Sequence, residues 1–114
     1  MAAAQTKLLF PSAQLTSTTA TYYEVGANTN TVIDAAIASN STGTNRAITV
    51  YLVPSGGTAD ATNISVVSTT VPANGDVSLP RLVLQALSSG GTIQAKADAN
   101  SAVNLRISGR EQTT

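Results

Sequence analysis

The 114-residue sequence has no cysteine, no histidine and no tryptophan, and only one phenylalanine and three tyrosines. Without cysteine there are no disulfides and no thiolate metal sites, so the redox compartment is not legible from thiol usage. Zinc sites built on imidazole or thiolate are excluded, and so is catalysis by a histidine base or a cysteine nucleophile. Charge is equally scarce: six Lys and Arg stand against six Asp and Glu, for a formal net charge of zero. The basic residues are scattered, which argues against nucleic acid as a partner, since non-specific affinity comes from clustered Lys and Arg displacing phosphate counterions. No stretch approaches the about 18 apolar residues of a membrane span. The start, Met1 to Phe10, shows no basic segment ahead of an apolar run of signal-peptide length. A chain made and kept soluble, with no membrane partner, is the expectation.

What fills the surface is neutral and polar: 37 of the residues are Thr, Ser or Asn. Low charge of balanced sign favours association, because like-charge repulsion is what keeps small domains apart. The length fits one domain able to bury roughly two thirds of its unfolded surface.

Apolar residues alternate along the chain. Val103, Leu105 and Ile107 alternate with Asn104, Arg106 and Ser108, and Ile93, Ala95 and Ala97 with Gln94, Lys96 and Asp98. That period of two marks half-buried strands, and the turn residues between the two sets make a hairpin. Ile48, Val50 and Leu52 form another strand ended by Pro54. Ile33, Ala35 and Ile37 repeat the pattern; a helix over 32–38 is the rival there, and flanking turn signals favour the strand. Further strands are expected at Thr21–Val25, Asn63–Val71, Asp76–Leu79 and Leu82–Leu84, with a weaker one at Gln14–Thr18. Two pairs of echoes, Val25-Gly26-Ala27-Asn28 with Val71-Pro72-Ala73-Asn74 and Ser55-Gly56-Gly57-Thr58 with Ser89-Gly90-Gly91-Thr92, share no common period and read as recurrent turn types. The fold class is therefore all-β: an antiparallel sandwich, jelly-roll-like, of eight or nine short strands over residues 13–110, preceded by an N-terminal arm at 1–12 and followed by a fraying tail at 111–114.

Chemistry is hard to find. The Gly-x-Ser-x-Gly elbow and Ser-x-x-Lys are absent, the Ca²⁺-loop spacing does not occur, and the Gly-Gly loops lack the endings of phosphate-binding loops. Most carboxylates sit in or beside turn segments, where Asp is explained by local hydrogen bonds to backbone. The chain is expected not to be an enzyme and to need no cofactor or metal. The candidate interaction residues are Lys7, Leu8, Leu9 and Phe10, an apolar run in the arm that reads either as an exposed anchor or as an edge strand over the domain's own core. To these are added Tyr22, Tyr23 and Tyr51, of which one of the adjacent pair should be buried and the other, with Tyr51, free to stack on a sugar or anchor a protein. Arg81, Arg106 and Arg110 complete the set as forks for a carboxylate on a neighbouring subunit.

The segments Ala47-Ile48-Thr49-Val50-Tyr51-Leu52-Val53-Pro54-Ser55-Gly56-Gly57-Thr58, Val71-Pro72-Ala73-Asn74 and Val103-Asn104-Leu105-Arg106-Ile107-Ser108-Gly109 resemble those of small β-sandwich virion accessory proteins of tailed bacteriophages, the similarity spanning about residues 20–110. The resemblance implies a domain that forms homo-oligomers, a dimer or a trimer, and cements or decorates the capsid surface by bridging neighbouring capsomers, with the major capsid protein as partner. Relatives of similar appearance sit on tails, so a tail- or fibre-associated carbohydrate- or receptor-binding module is the alternative. The resemblance carries no catalytic residues, and it has no equivalent for Lys7–Phe10.

Overall fold

The computed structural model describes residues 5–113, at positions 11–13 as backbone only. Nine strands follow one another: β1 (Gln5–Gln14), β2 (Ala20–Glu24), β3 (Thr29–Asn40), β4 (Arg46–Val53), β5 (Ile64–Val71), β6 (Gly75–Ser78), β7 (Ala86–Leu87), β8 (Thr92–Ala97) and β9 (Val103–Thr113), with one 3-10 turn at Pro80–Leu82. All pairings are antiparallel. One sheet runs β1-β9-β3-β6, with β7 also on β3, and the other runs β2-β8-β4-β5. Leaving aside the two-residue β7, the first strand pairs with the last, the second with the next to last, and so inward to β4 with β5. This is the jelly roll, a long hairpin folded over into two facing sheets.

The alternation seen in the sequence holds where the ladders are regular. Val103, Leu105 and Ile107 from β9, and Ile93, Ala95 and Ala97 from β8, all enter the core, as do Ile48 and Val50 from β4. The sequence echoes resolve into two turn types. Pro54 to Gly57 and Ser88 to Gly91 each close with a bond from the last N–H to the first carbonyl and place a glycine, Gly56 or Gly90, at positive φ in third position, as a type II turn requires. Asn28 and Asn74 each take positive φ at the end of the other echo. Asn40 is buried yet satisfied: its Nδ2 donates to the carbonyls of Thr44 and Val71, and its Oδ1 accepts from Thr42. That Asx turn pins the β3–β4 loop.

One difference from the sequence reading comes from a β-bulge, where one strand carries a residue more than its partner. In β3, residues Ile33 and Ala35 pair with the adjacent Gly109 and Ser108, so Asp34 is the extra residue. Alternation therefore changes phase: Ile33, Ala36 and Ala38 are buried, while Ala35 and Ile37 face outward. The expected arm is not separate from the sandwich, because Gln5–Gln14 is the edge strand of the first sheet, and a boundary at residue 12 falls inside it. Residues 1–4 of that arm lie outside the described residues. The expected tail is also strand, paired through Thr113 with Thr29, with Thr114 outside the described residues. Leu82–Leu84 is not a strand: Pro80 opens the 3-10 turn there, and Leu84 has φ +68. Of Gln14–Thr18, only Gln14 is strand, as the end of β1.

Opposite the Asp34 bulge, Gly109 is buried, and a Cβ there would collide with the Val32 carbonyl oxygen and lie 2.8 Å from Leu9 Cδ1. Gly109→Ala is expected to lower stability by roughly 1–3 kcal/mol through overpacking, measured by chemical denaturation.

Candidate functional site

The candidate interaction residues separate into those the fold consumes and those it leaves outside. Between Leu8 and Phe10 the β1–β9 register slips by one residue, so Leu9 and Phe10 both point inward and are buried, while Leu8 stays exposed. Of the two readings of Lys7–Phe10, the geometry is that of the edge strand. Phe10 meets Tyr22 with ring centroids 4.4 Å apart.

The tyrosines behave likewise. A register shift between Thr21 and Tyr23 makes Tyr22 the extra residue of β2, and both rings reach toward the first sheet instead of dividing between faces. Tyr22 lies against Phe10, and Tyr23 is only 8% exposed. The Tyr23 hydroxyl donates to Glu111 Oε2 and shares a 2.8 Å hydrogen bond with the buried Thr31 hydroxyl. Lys7 Nζ completes the cluster 3.4 Å from both Glu111 oxygens and 6.0 Å from the Tyr23 ring centre. Four strands, β1, β2, β3 and β9, are thus tied across the two sheets by one polar knot. Burial, then the hydrogen bond to Glu111, pushes the Tyr23 phenol up to about 12. Tyr51 alternates with core residues Val50 and Leu52 and lies half-buried on the outward face of the second sheet. No stacking platform of Tyr51 with Tyr22 or Tyr23 is assembled.

Arg110 is engaged within its own chain: its Nε lies 3.1 and 3.0 Å from the two Asp34 oxygens. Arg106 and Arg81 are exposed. Apart from Leu8, sequence reasoning missed the exposed aliphatics. Leu84 is 71% exposed with a backbone in the left-handed region, where a large side chain is an outlier. Val83 stands next to it, and Val67, 58% exposed, lies on β5 at another bulge, where Ser68 has φ +42. β5 contacts both β6 and the 3-10 turn, which Val83 and Leu84 directly follow, so Val67 and the Val83–Leu84 pair lie on segments that flank one seam of the sandwich. Ile37 and Leu8 are the exposed aliphatics of the opposite kind, set on the flat outer face of the first sheet and each 40% exposed.

A cleft of about 480 Å³ opens between the segments 52–65 and 85–91, lined by residues such as Leu52, Ser55, Asn63, Ser65, Gln85 and Ser88, with neither a charged nor an aromatic side chain. Among the described residues no group of three or more His, Cys, Asp or Glu is placed to hold a metal ion, and no helix is long and apolar enough to cross a membrane.

Comparison with known proteins finds no matching family model and no matching curated sequence. Among solved structures, a chain of the Bacillus endospore appendages, described as a novel family of disulfide-linked pili, superposes with a TM-score of 0.57 at 13% identity, over 96% of this chain and 88% of that one. The likeness is one of fold: the β-sandwich is shared with a structural pilus protein. The disulfide link of that family has no counterpart in a chain without cysteine.

Tyr23→Phe removes the donor to Glu111 and the partner of Thr31, and is expected to cost about 1–2 kcal/mol. Because the folded state holds the phenol protonated, its contribution is whole below pH 10.0 and is lost as pH rises toward about 12. Denaturation of wild type should weaken across that window more steeply than that of Tyr23→Phe.

Proposed function

We propose that this chain is a structural virion protein that decorates the outer surface of a tailed-phage head and cements neighbouring capsomers, with the major capsid protein and further copies of itself as partners. The observation that carries the reading is that exposed aliphatic side chains fall on two separate surfaces, the Val67–Val83–Leu84 seam and the Leu8–Ile37 face. A cement must grip two neighbours, and apolar patches on an otherwise polar surface are where soluble proteins do so. The resemblance of its strand and turn phrases to those of phage accessory proteins supports the same reading. So does a neutral surface suited to many weak contacts repeated over a lattice.

In this reading the chain is not an enzyme. Histidine and cysteine are missing from the whole sequence, and three of the six carboxylates are already in ion pairs: Asp34 with Arg110, Asp98 with Arg46 and Glu111 with Lys7.

The second reading, a tail- or fibre-associated module that binds a carbohydrate or receptor, is favoured by the uncharged cleft beside Ser55 and Gln85. Its hydroxyl and amide lining suits a neutral polyol, although the aromatic surface that sugars stack on is absent from it.

Burying a leucine is worth about 1.5–3 kcal/mol. Replacing Leu84 and Val67 together by serine should therefore weaken binding to heads lacking the protein by at least roughly tenfold, read as occupancy after sedimentation, with the melting profile retained. Unchanged occupancy would remove the seam from the proposal. Binding on a glycan array lost on Gln85→Ala, with the protein located on tails, would replace it by the second reading.

A further inference from the structure

We propose that the outer face of the β1-β9-β3-β6 sheet is a self-complementary interface on which a second copy of this chain sits face to face about a two-fold axis. This deepens the self-association part of the proposed function, and its test needs no phage particle.

The pairing registers fix which side chains share that face. Ser108 lies between Leu8 and Ala35, Arg106 lies beside Ile37, and Ile37 lies beside Ser78. In the next row Asn104, Ser39 and Asp76 are neighbours. The alternate residues Leu105, Ile107, Ala36 and Ala38 are buried, which aims this set outward. Small side chains around Ile37 leave a shallow depression of about 360 Å³ whose walls include Ala35, Ser78, Ser108 and Arg106. The centre of the face is therefore apolar and open to close approach.

Charge then selects the occupant. Lys7, Arg46 and Arg110 each have an ion-pair partner within the chain; Arg106 and Asp76 have none among the described residues. They flank Ile37 on opposite sides, Arg106 on β9 and Asp76 on β6, one row apart. A two-fold rotation about an axis parallel to β3 exchanges those flanks. Each Arg106 then faces the other copy's β6, where Asp76 is displaced by about 7 Å along the strand, within an arginine's reach. One patch thus meets itself as a two-fold interface demands, residue i on residue j and j on i. Two Arg106–Asp76 pairs bracket a central Ile37–Ile37 contact.

Area is sufficient. Strands of 10, 11, 12 and 4 residues, at about 3.4 Å by 4.8 Å per residue, present roughly 600 Å² per copy. Two such faces reach the lower end of specific interfaces, about 1,200 Å² in total. Edge-to-edge pairing is the competing route, and the edges are ill suited to it. The β1–β9 and β4–β5 registers each break twice, the β2–β8 register breaks once, and β6 has four residues. Bulges and short lengths are how sheet edges are kept from pairing.

Sedimentation equilibrium of the full chain tests the proposal. Wild type is expected at twice 11.5 kDa, and Ile37→Asp at the monomer mass with an unchanged far-ultraviolet circular dichroism spectrum. Arg106→Asp and Asp76→Arg should each weaken the dimer by at least roughly tenfold, and the two combined should regain most of the loss, the pattern of a direct charge pair. A wild type that stays monomeric, a trimer, a folded Ile37→Asp that keeps the dimer mass, or a charge swap that fails to restore association would each overturn it.

Discussion

The ladder between β3 and β9 is the constraint on which the rest of the molecule depends. Eleven residue pairs, from Thr29 with Thr113 to Asn40 with Val103, join two strands that lie far apart in sequence. β9 carries β1 on its other side, and β3 carries β6 and β7. The inward side chains of this ladder, Ile33, Ala36, Ala38, Leu105 and Ile107, supply one half of the core, and Ile48, Val50, Ile93 and Ala95 the other. The single irregularity, Asp34 against Gly109, decides which half of β3 faces in. It also places Asp34 beside Arg110. Non-local pairing of this kind closes long loops before contacts reward it, so a jelly roll folds slowly compared with a helical bundle.

Low charge and blunted edges belong together. A surface with few charges gives little electrostatic protection against association, so protection has to be built into the backbone. Register breaks in β1, β2 and β5, Pro11 in β1 and the brevity of β6 do that work. What remains open to partners is a flat face, a seam and a cleft, each with its own chemistry.

Much of this fold was legible in the sequence, because period-two alternation survives wherever a ladder is regular, as in β8 and β9. The jelly-roll strand count and the two recurrent turns were legible for the same reason: Gly and Asn mark positive φ locally. The bulges were not, since an extra residue is defined by the partner strand. Three of them changed a residue's role. Leu9 and Phe10 became core, Tyr22 and Tyr23 turned to the same side, and Ile37 came outside. Glu111, in a segment that looked like a tail, is held by Tyr23 and Lys7, a partnership spread over more than eighty residues. Of the candidate interface residues, Leu8 and Arg106 share the open face, while the aromatic ones mostly serve the interior. The seam at Leu84 escaped notice because nothing in Leu82-Val83-Leu84 separates a buried strand from an exposed loop.

The adjacency of β1 and β9 bears on how the domain would carry a mechanical load. They run antiparallel, with Gln5 opposite Glu111, so the two ends of the described chain leave the sandwich at the same end. Tension applied between them meets the β1–β9 bonds one after another, as a zipper is opened, instead of loading the whole row in shear. The first elements to resist are the Lys7–Glu111 ion pair and the Tyr23 hydroxyl bonded to Glu111. A sandwich wired in this way is weak when pulled by its ends and far stiffer when pressed or sheared across its sheets.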